Sequence, residues 1–306
     1  MAPKIILDCD PGHDDAMAIL LAGRHTELLG ITAVAGNAPL AMTAPNALLL
    51  AELLDLDVPV HAGAARPLLA PPRHAQEVHG ETGLDGPERP PVTRELDSHD
   101  AVKFIIDTVR DNDDVWLVPV GPLTNIALAF RQAPDIVDRL AGISIMGGSA
   151  TVGNVTSTAE FNVWADPDAA KIVFEAGADL LRMAGLNLTH QFTVDAETIA
   201  AMRAPDNAAG NFGADLFEFY LNSSQARTGR DSVPLHDPCA VLAVTHPHLF
   251  DMERRHVAVE TTGTHTRGMT VVDERGFGEE PHNCEVEYAI DRDAAMQVFL
   301  DTVATY

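Results

Sequence analysis

The chain has 306 residues, 46% of them hydrophobic, and 45 acidic side chains against 20 basic ones, for a formal net charge of −25. That length supports a sizeable core, and the acidity, with no run of eighteen apolar residues, argues for no nucleic-acid and no membrane partner. Cys9, Cys239 and Cys284 are odd in number and share no CxxC spacing, so free thiols and a cytoplasmic location are expected, the more so because the first strand leaves no room for a leader before it.

Lys4 to Leu7 is an apolar, β-branched run that reads as a buried strand, and Pro11-Gly12 turns the chain into a helix carrying Ala16, Met17, Ile19, Leu20 and Leu21. Leu29–Ala35 predicts a second strand ending in Gly36-Asn37, Leu40–Leu54 a helix, and Val58–His61 a short third strand. Residues 63–97 break that pattern: they are rich in Pro and Gly, lack periodicity and contain VHGETGLDGP at 78–87, as a functional loop or lid does. Helix is expected over Asp100–Arg110, strand over Val115–Val120, and a new helix after Gly121-Pro122, with Pro122 near its first turn. Strand Gly142–Met146 runs into a Gly-rich stretch, then helix Asp166–Glu175 and strand Leu180–Ala184 follow.

The repeating strand–helix order predicts an α/β fold: an open, mostly parallel sheet with helices on both faces. From Asp195 the chain turns helical, most clearly over 213–225, and PLHDP at 234–238 opens another apolar helix. His256–Glu260, Met269–Asp273 and Glu285–Ile290 are expected as antiparallel additions at the sheet edge, before a last helix. No linker or repeat interrupts residues 1–306, which read as one domain.

Asp8, Asp10, Asp14 and Asp15 crowd the carboxyl end of the first strand and the turn after it. One aspartate there is a helix cap; four repel one another unless a cation sits among them, and oxygen ligands alone suit a hard ion, calcium or magnesium. In open α/β sheets this edge is also where ligands bind. Asn37, Thr124, Asn125, Asn154, Glu160, Asn162, Asn187, His236 and Asp237 close later loops on what should be the same edge. Singly each is a turn residue. Together, with few aromatic and few cationic neighbours, they suit a neutral, hydroxyl-rich ligand such as a sugar, since a phosphate would call for Lys, Arg or a Gly-rich helix start.

DCDPGHDD at 8–15 resembles the N-terminal signature of the nucleoside hydrolases, the calcium-dependent N-ribohydrolases of the inosine–uridine preferring family. The resemblance continues through VAGN at 34–37, HGETGLDGP at 79–87, VPVGPLTNIA at 118–127, MGG at 146–148, GNVTSTAEFNVWADPDAA at 153–170 and LHDPCAV at 235–241. It implies Ca²⁺ held by Asp10, Asp15, Asp237 and the backbone carbonyl of Thr124, with ribose hydroxyls and a water completing the shell. It also implies that Asp14, Asn37 and Asn162 bind the diol side of the ribose, Asn154 and Glu160 its 5′-hydroxyl, and that Met146 lies against the sugar face. Asp10 would be the general base and His236 the group beside the leaving base; His79, in the lid, would touch the substrate, and His13 would fill the strand–helix corner.

DPGHDD and VHGETGLDGP are most similar to the pyrimidine-preferring members, which implies calcium-dependent hydrolysis of uridine and cytidine by a homo-oligomer, a dimer or tetramer. Those members carry a Gln and then an aromatic residue on the helix before the LHDP segment. Here Gln225 matches the first and nothing matches the second, so broad inosine–uridine specificity stands as the alternative. An aspartate-nucleophile phosphatase would require a hydroxyl residue after the second Asp and a later Lys, which Pro11-Gly12 and a chain with only Lys4, Lys103 and Lys171 do not offer. A non-catalytic calcium or sugar binder would leave the pairing of Asp10 with His236 unexplained.

Overall fold

The computed structural model describes residues 2–275 and 277–306. Its main sheet has eight strands in the order β3-β2-β1-β4-β5-β6-β12-β9. The first half comprises β1 (Lys4–Cys9), α1 (His13–His25), β2 (Glu27–Ala33), α2 (Leu40–Leu53), β3 (Val60–Ala62), the single turn α3 (Gln76–His79), α4 (Ala101–Asp111), β4 (Val115–Pro119), α5 (Thr124–Gln132) and β5 (Leu140–Met146). The second comprises α6 (Phe161–Ala165), α7 (Pro167–Phe174), β6 (Leu181–Ala184), α8 (Leu186–Thr189), β7 (Thr193–Asp195), α9 (Ala196–Arg203), α10 (Ala208–Thr228), β8 (Ser232–Pro234), α11 (Pro238–Thr245), β9 (Phe250–Arg255), β10 (Val257–Val259), β11 (Thr270–Val272), β12 (Cys284–Ile290) and α12 (Arg292–Val303).

β1 explains the layering. Its residues Ile5 to Cys9 are fully buried, and their alternation sends Ile5, Leu7 and Cys9 to one core and Ile6 to the other. The first core packs against α1, α2, α10, α11 and α12, the second against α4, α5 and α7. Seven strands from β3 to β12 run parallel, and β9 closes the far edge antiparallel to β12. Among the described residues no helix is long and apolar enough to cross a membrane.

The antiparallel strands expected near the C-terminus are present, with a different arrangement. β10 and β11 form a two-stranded ribbon of their own rather than extending the sheet, and Val257 and Val259 turn into the second core. β12 is interior, pairing parallel with β6 on one side. The antiparallel edge is β9, FDMERR, whose exposed and charged residues carry no strand pattern to read.

The sheet order reverses at β1, with β2 and β3 on one side and β4, β5 and β6 on the other. The crevice beyond the carboxyl ends of β1 and β4 is therefore a topological switch point, where open α/β sheets bind ligands. The long 63–97 segment folds back onto it: His79 and Leu84 are buried, and Asn46 Nδ2 donates to the carbonyls of both Pro11 and Thr82, tying the segment to the turn after β1.

Candidate active site

The turn after β1 is built around Asp15. Its carboxylate accepts the backbone N–H of Asp10 at 3.0 Å, that of Gly12 at 2.9 Å and Asn37 Nδ2 at 3.1 Å, so one side chain caps α1 and fixes the loop before it. Asn37 binds Asp10 as well, its N–H donating to Oδ2 at 2.6 Å and its Nδ2 to the Asp10 carbonyl at 3.2 Å. The other carboxylate oxygen, Asp10 Oδ1, is buried with no hydrogen-bond partner among the described residues.

Carboxylate oxygens of Asp14, Asp15 and Asp237 lie within 4.8 Å of one another. The trio takes in Asp14, expected on the ribose, and leaves Asp10 beside it. Burial, compounded by mutual repulsion, pushes the carboxyls of Asp10 and Asp237 well above the usual range and that of Asp14 to about 7; Asp15 is raised chiefly by burial. Gly36 and Gly121 pinch Asp10 from two sides: a Cβ at Gly36 would stand 2.0 Å from its Oδ2, and one at Gly121 2.4 Å from its Oδ1. An unpartnered buried oxygen, three converging carboxylates and an all-oxygen donor set fit a hard cation. Thr124 is buried at the start of α5 with its hydroxyl donating to Asp166 Oδ2 at 2.7 Å. Asp166, which sequence reading left without a role, also takes the N–H of Leu68 and caps α7; the Asp-Pro at a helix start was the available signal.

Above this floor is a cavity of about 510 Å³, a volume suited to a small organic ligand. Asp14, Asn37, His79, Met146, Asn154, Glu160, Asn162, His236 and Asp237 all line it, although Asn154 is exposed. Glu160 caps α6, accepting the N–H groups of Asn162, Val163 and Gly148; burial outweighs those bonds and lifts its carboxyl to about 7. Asn162 Nδ2 donates to the carbonyls of Val120 and Met146, which engages its donor side and leaves Oδ1 as the free end. Asn125 and Asn187, by contrast, serve the scaffold, bonding Asp8 and Ala64, and Glu287 and Ala150, respectively.

Gln225 is exposed on α10 and does not line the cavity, where Tyr220, Ser224, Arg227 and Thr228 stand. The scarcity of cations inferred from sequence fails at the rim, where Arg73, Arg227 and Arg230 line the opening. Arg73 sits over the Trp164 ring, 5.3 Å from its centre.

His236 is part of the cavity wall. Its Nδ1 is 2.7 Å from the Thr189 hydroxyl, and its ring centre is 5.8 Å from that of His190. Burial, with His190 beside it, pulls His236 down to about 3, so the imidazole is neutral at physiological pH. His79 is likewise held well below its ordinary value by burial, His13 and His236.

The cavity at the switch point thus combines buried carboxylates, amides and neutral imidazoles, a lining suited to a small hydroxylated ligand. The chain belongs to the inosine-uridine preferring nucleoside hydrolase family, whose model matches residues 5–297, and it is an N-glycosyl hydrolase of ribonucleosides. It is 43% identical over 293 residues to the pyrimidine-specific ribonucleoside hydrolase RihB of Escherichia coli (strain K12), covering 95% of this chain and 93% of that one, and equally to RihB of Shigella sonnei. Among solved structures it is similar to a purine-preferring ribonucleoside hydrolase from Gardnerella vaginalis, with a TM-score of 0.93 and 32% identity over 99% of this chain and 98% of that one. It is also similar to the plant nucleoside hydrolase PpNRh1, with a TM-score of 0.93 and 29% identity over the full length of both chains.

Proposed function

We propose that this chain, as one domain over residues 1–306, hydrolyses pyrimidine ribonucleosides to base and ribose with the help of Ca²⁺. The observation that carries the metal-assisted reading is the buried convergence of Asp14, Asp15 and Asp237 beside the unpartnered Oδ1 of Asp10. Asp10, Asp15, Asp237 and the Thr124 carbonyl would hold the ion. When bound, it supplies a hard positive centre for the ribose diol and acidifies a neighbouring water. Pyrimidine preference is supported by the identity to hydrolases named pyrimidine-specific.

Cleavage of an N-glycosidic bond builds positive charge on the ribose ring, and a carboxylate floor is electrostatically suited to that charge. Asp10 Oδ1, with no partner among the described residues, receives the proton of the attacking water. Asn37, through its contacts with Asp10 and Asp15, and the free Oδ1 of Asn162 orient the diol side; Glu160 and Asn154 hold the 5′ end, with Met146 under the ring. His236, neutral and buried, donates an N–H hydrogen bond to the departing base rather than acting as an imidazolium.

The experiment is a reducing-sugar assay with uridine, cytidine and inosine, in calcium and again in excess chelator. Ribose should be released from the pyrimidine nucleosides first, and the chelator should abolish the activity reversibly. Full activity after exhaustive chelation rejects the metal-dependent reading, and faster release from inosine rejects the pyrimidine preference.

A further inference from the structure

His13, which sequence assigns to filling a corner, touches the lid at two points. Its Nε2 stands 2.9 Å from the carbonyl oxygen of Asp85. A carbonyl only accepts, so Nε2 carries a proton, and in a neutral imidazole Nδ1 is then a bare acceptor. That Nδ1 is 3.0 Å from Nδ1 of His79. The proton between the two rings therefore belongs to His79, whose own Nε2 is left as a lone pair. The His13 backbone N–H is also directed as a donor at His79 Nδ1, at a longer 3.3 Å. Were Nδ1 to accept it, two lone pairs would face each other at 3.0 Å, so the ring–ring bond decides.

Packing holds this arrangement. His13 stacks on His79 with centres 5.0 Å apart and on Tyr220 at 5.6 Å, and among the described residues neither histidine is hydrogen-bonded to a carboxylate. The Asp85 carboxylate turns into its own loop, accepting the N–H groups of Glu81 and Thr82. His79 Nε2 has no hydrogen bond among the described residues, and its ring forms cavity wall with Tyr220 and His236. His236 differs: the Thr189 hydroxyl at its Nδ1 donates or accepts equally well, so no tautomer is imposed on it.

We propose that His13 is a positioning residue that holds His79 in its Nδ1-protonated tautomer, making His79 Nε2 a hydrogen-bond acceptor for an N–H of the bound base. This rests on the nucleoside hydrolase reading and deepens it. The base end then holds one imidazole obliged to accept and one free to donate, a pair suited to a base edge on which N–H and carbonyl are adjacent, as in uracil. An aglycone without an N–H, such as p-nitrophenol, gains nothing from the first.

The test begins with ¹⁵N NMR of histidine-labelled protein at neutral pH, with the His79 signals assigned by His79→Gln. His79 should be protonated at Nδ1; protonation at Nε2 in the wild type overturns the proposal, whatever any variant does. His13→Phe keeps a ring but no acceptor. It should move the His79 proton to Nε2 and raise KM for uridine about tenfold more than KM for p-nitrophenyl riboside, the scale of one lost hydrogen bond. His13→Asn, whose Oδ1 can accept in place of Nδ1, should restore both readouts. Equal losses on the two substrates, or a His79 tautomer unmoved by His13→Phe, overturn it. If the wild type cleaves neither substrate, the hydrolase reading has failed, while the tautomer measurement, made without substrate, still decides the role of His13.

Discussion

Asn37 grips Asp10 with both its donors, the backbone N–H on Oδ2 at 2.6 Å and Nδ2 on the carbonyl at 3.2 Å. One carboxylate oxygen is thereby committed to the scaffold, and Oδ1 remains for chemistry. Asp10→Asn would keep an oxygen in place but could not take a proton, so kcat for uridine should fall about 10²–10⁴-fold. Calorimetry with calcium shows whether the variant still binds the ion; full kcat with the ion bound would remove Asp10 from the role of base.

The two glycines against Asp10 allow no side chain without moving it. A methyl at Gly36 would meet Oδ2 at 2.0 Å and Pro122 at 2.7 Å, so the carboxylate must shift. A displacement of about 1 Å in a reacting group costs about 10²-fold, and Gly36→Ala should lose that much of kcat/KM for uridine. Steady-state kinetics beside a thermal melt checks this, because wild-type kinetics in a folded variant would mean that the position of Asp10 is not critical.

For His236, the neutral state imposed by burial makes it a hydrogen-bond donor to the leaving base. Removing one such donor costs about 10²–10³-fold, so His236→Ala should lose that much on uridine while sparing p-nitrophenyl riboside, whose phenolate leaves without help. Equal losses on both would instead assign His236 to holding Thr189, or the start of α11, in place.

Much of this site was legible in the sequence because it follows from periodicity and spacing. The apolar run of β1, the Pro-Gly turn and the aspartates of DCDPGHDD mark a cluster of carboxylates at one strand end, and of the later amides Asn37, Asn154 and Asn162 line the cavity while Asn125 and Asn187 turn into the scaffold. Which carboxylates close into a trio was not legible, since Asp10 and Asp14 flank the Pro11-Gly12 turn and the direction it gives each side chain decides. The place of Gln225 outside the cavity wall follows from the end of α10. The helix continues to Thr228 and stops at Gly229, whose φ of 74° is left-handed, and that extra turn brings Arg227 and Thr228 to the cavity wall while Gln225 faces out. β9 escaped notice because an exposed edge strand has no buried face to mark it.

Glu287 lies in β12, wholly buried, with neither carboxylate oxygen hydrogen-bonded among the described residues, so the protonated form is favoured. Burial raises its carboxyl to about 8, Arg182 opposes the shift and Glu285 adds to it; Cys239 and Cys284 also lie in range of its charge. The folded state therefore holds a proton that the unfolded chain has released above its ordinary value near 4.5. Glu287 costs stability as pH rises from there to about 8, at up to about 1.4 kcal/mol per pH unit, and no further beyond. Glu287→Gln should remove that slope, so its advantage over wild type in urea melts should grow from pH 5 to pH 8. An advantage independent of pH would show that Glu287 ionises freely in the fold.

The central claim is that the ribose is held by its diol at the carboxylate floor, and the most direct measurement compares kcat/KM for uridine and 2′-deoxyuridine in saturating calcium. Loss of one hydroxyl leaves polar groups of the site unpaired, and the deoxynucleoside should react on the order of a hundredfold more slowly or worse. Comparable kcat/KM values for the two nucleosides would contradict the account.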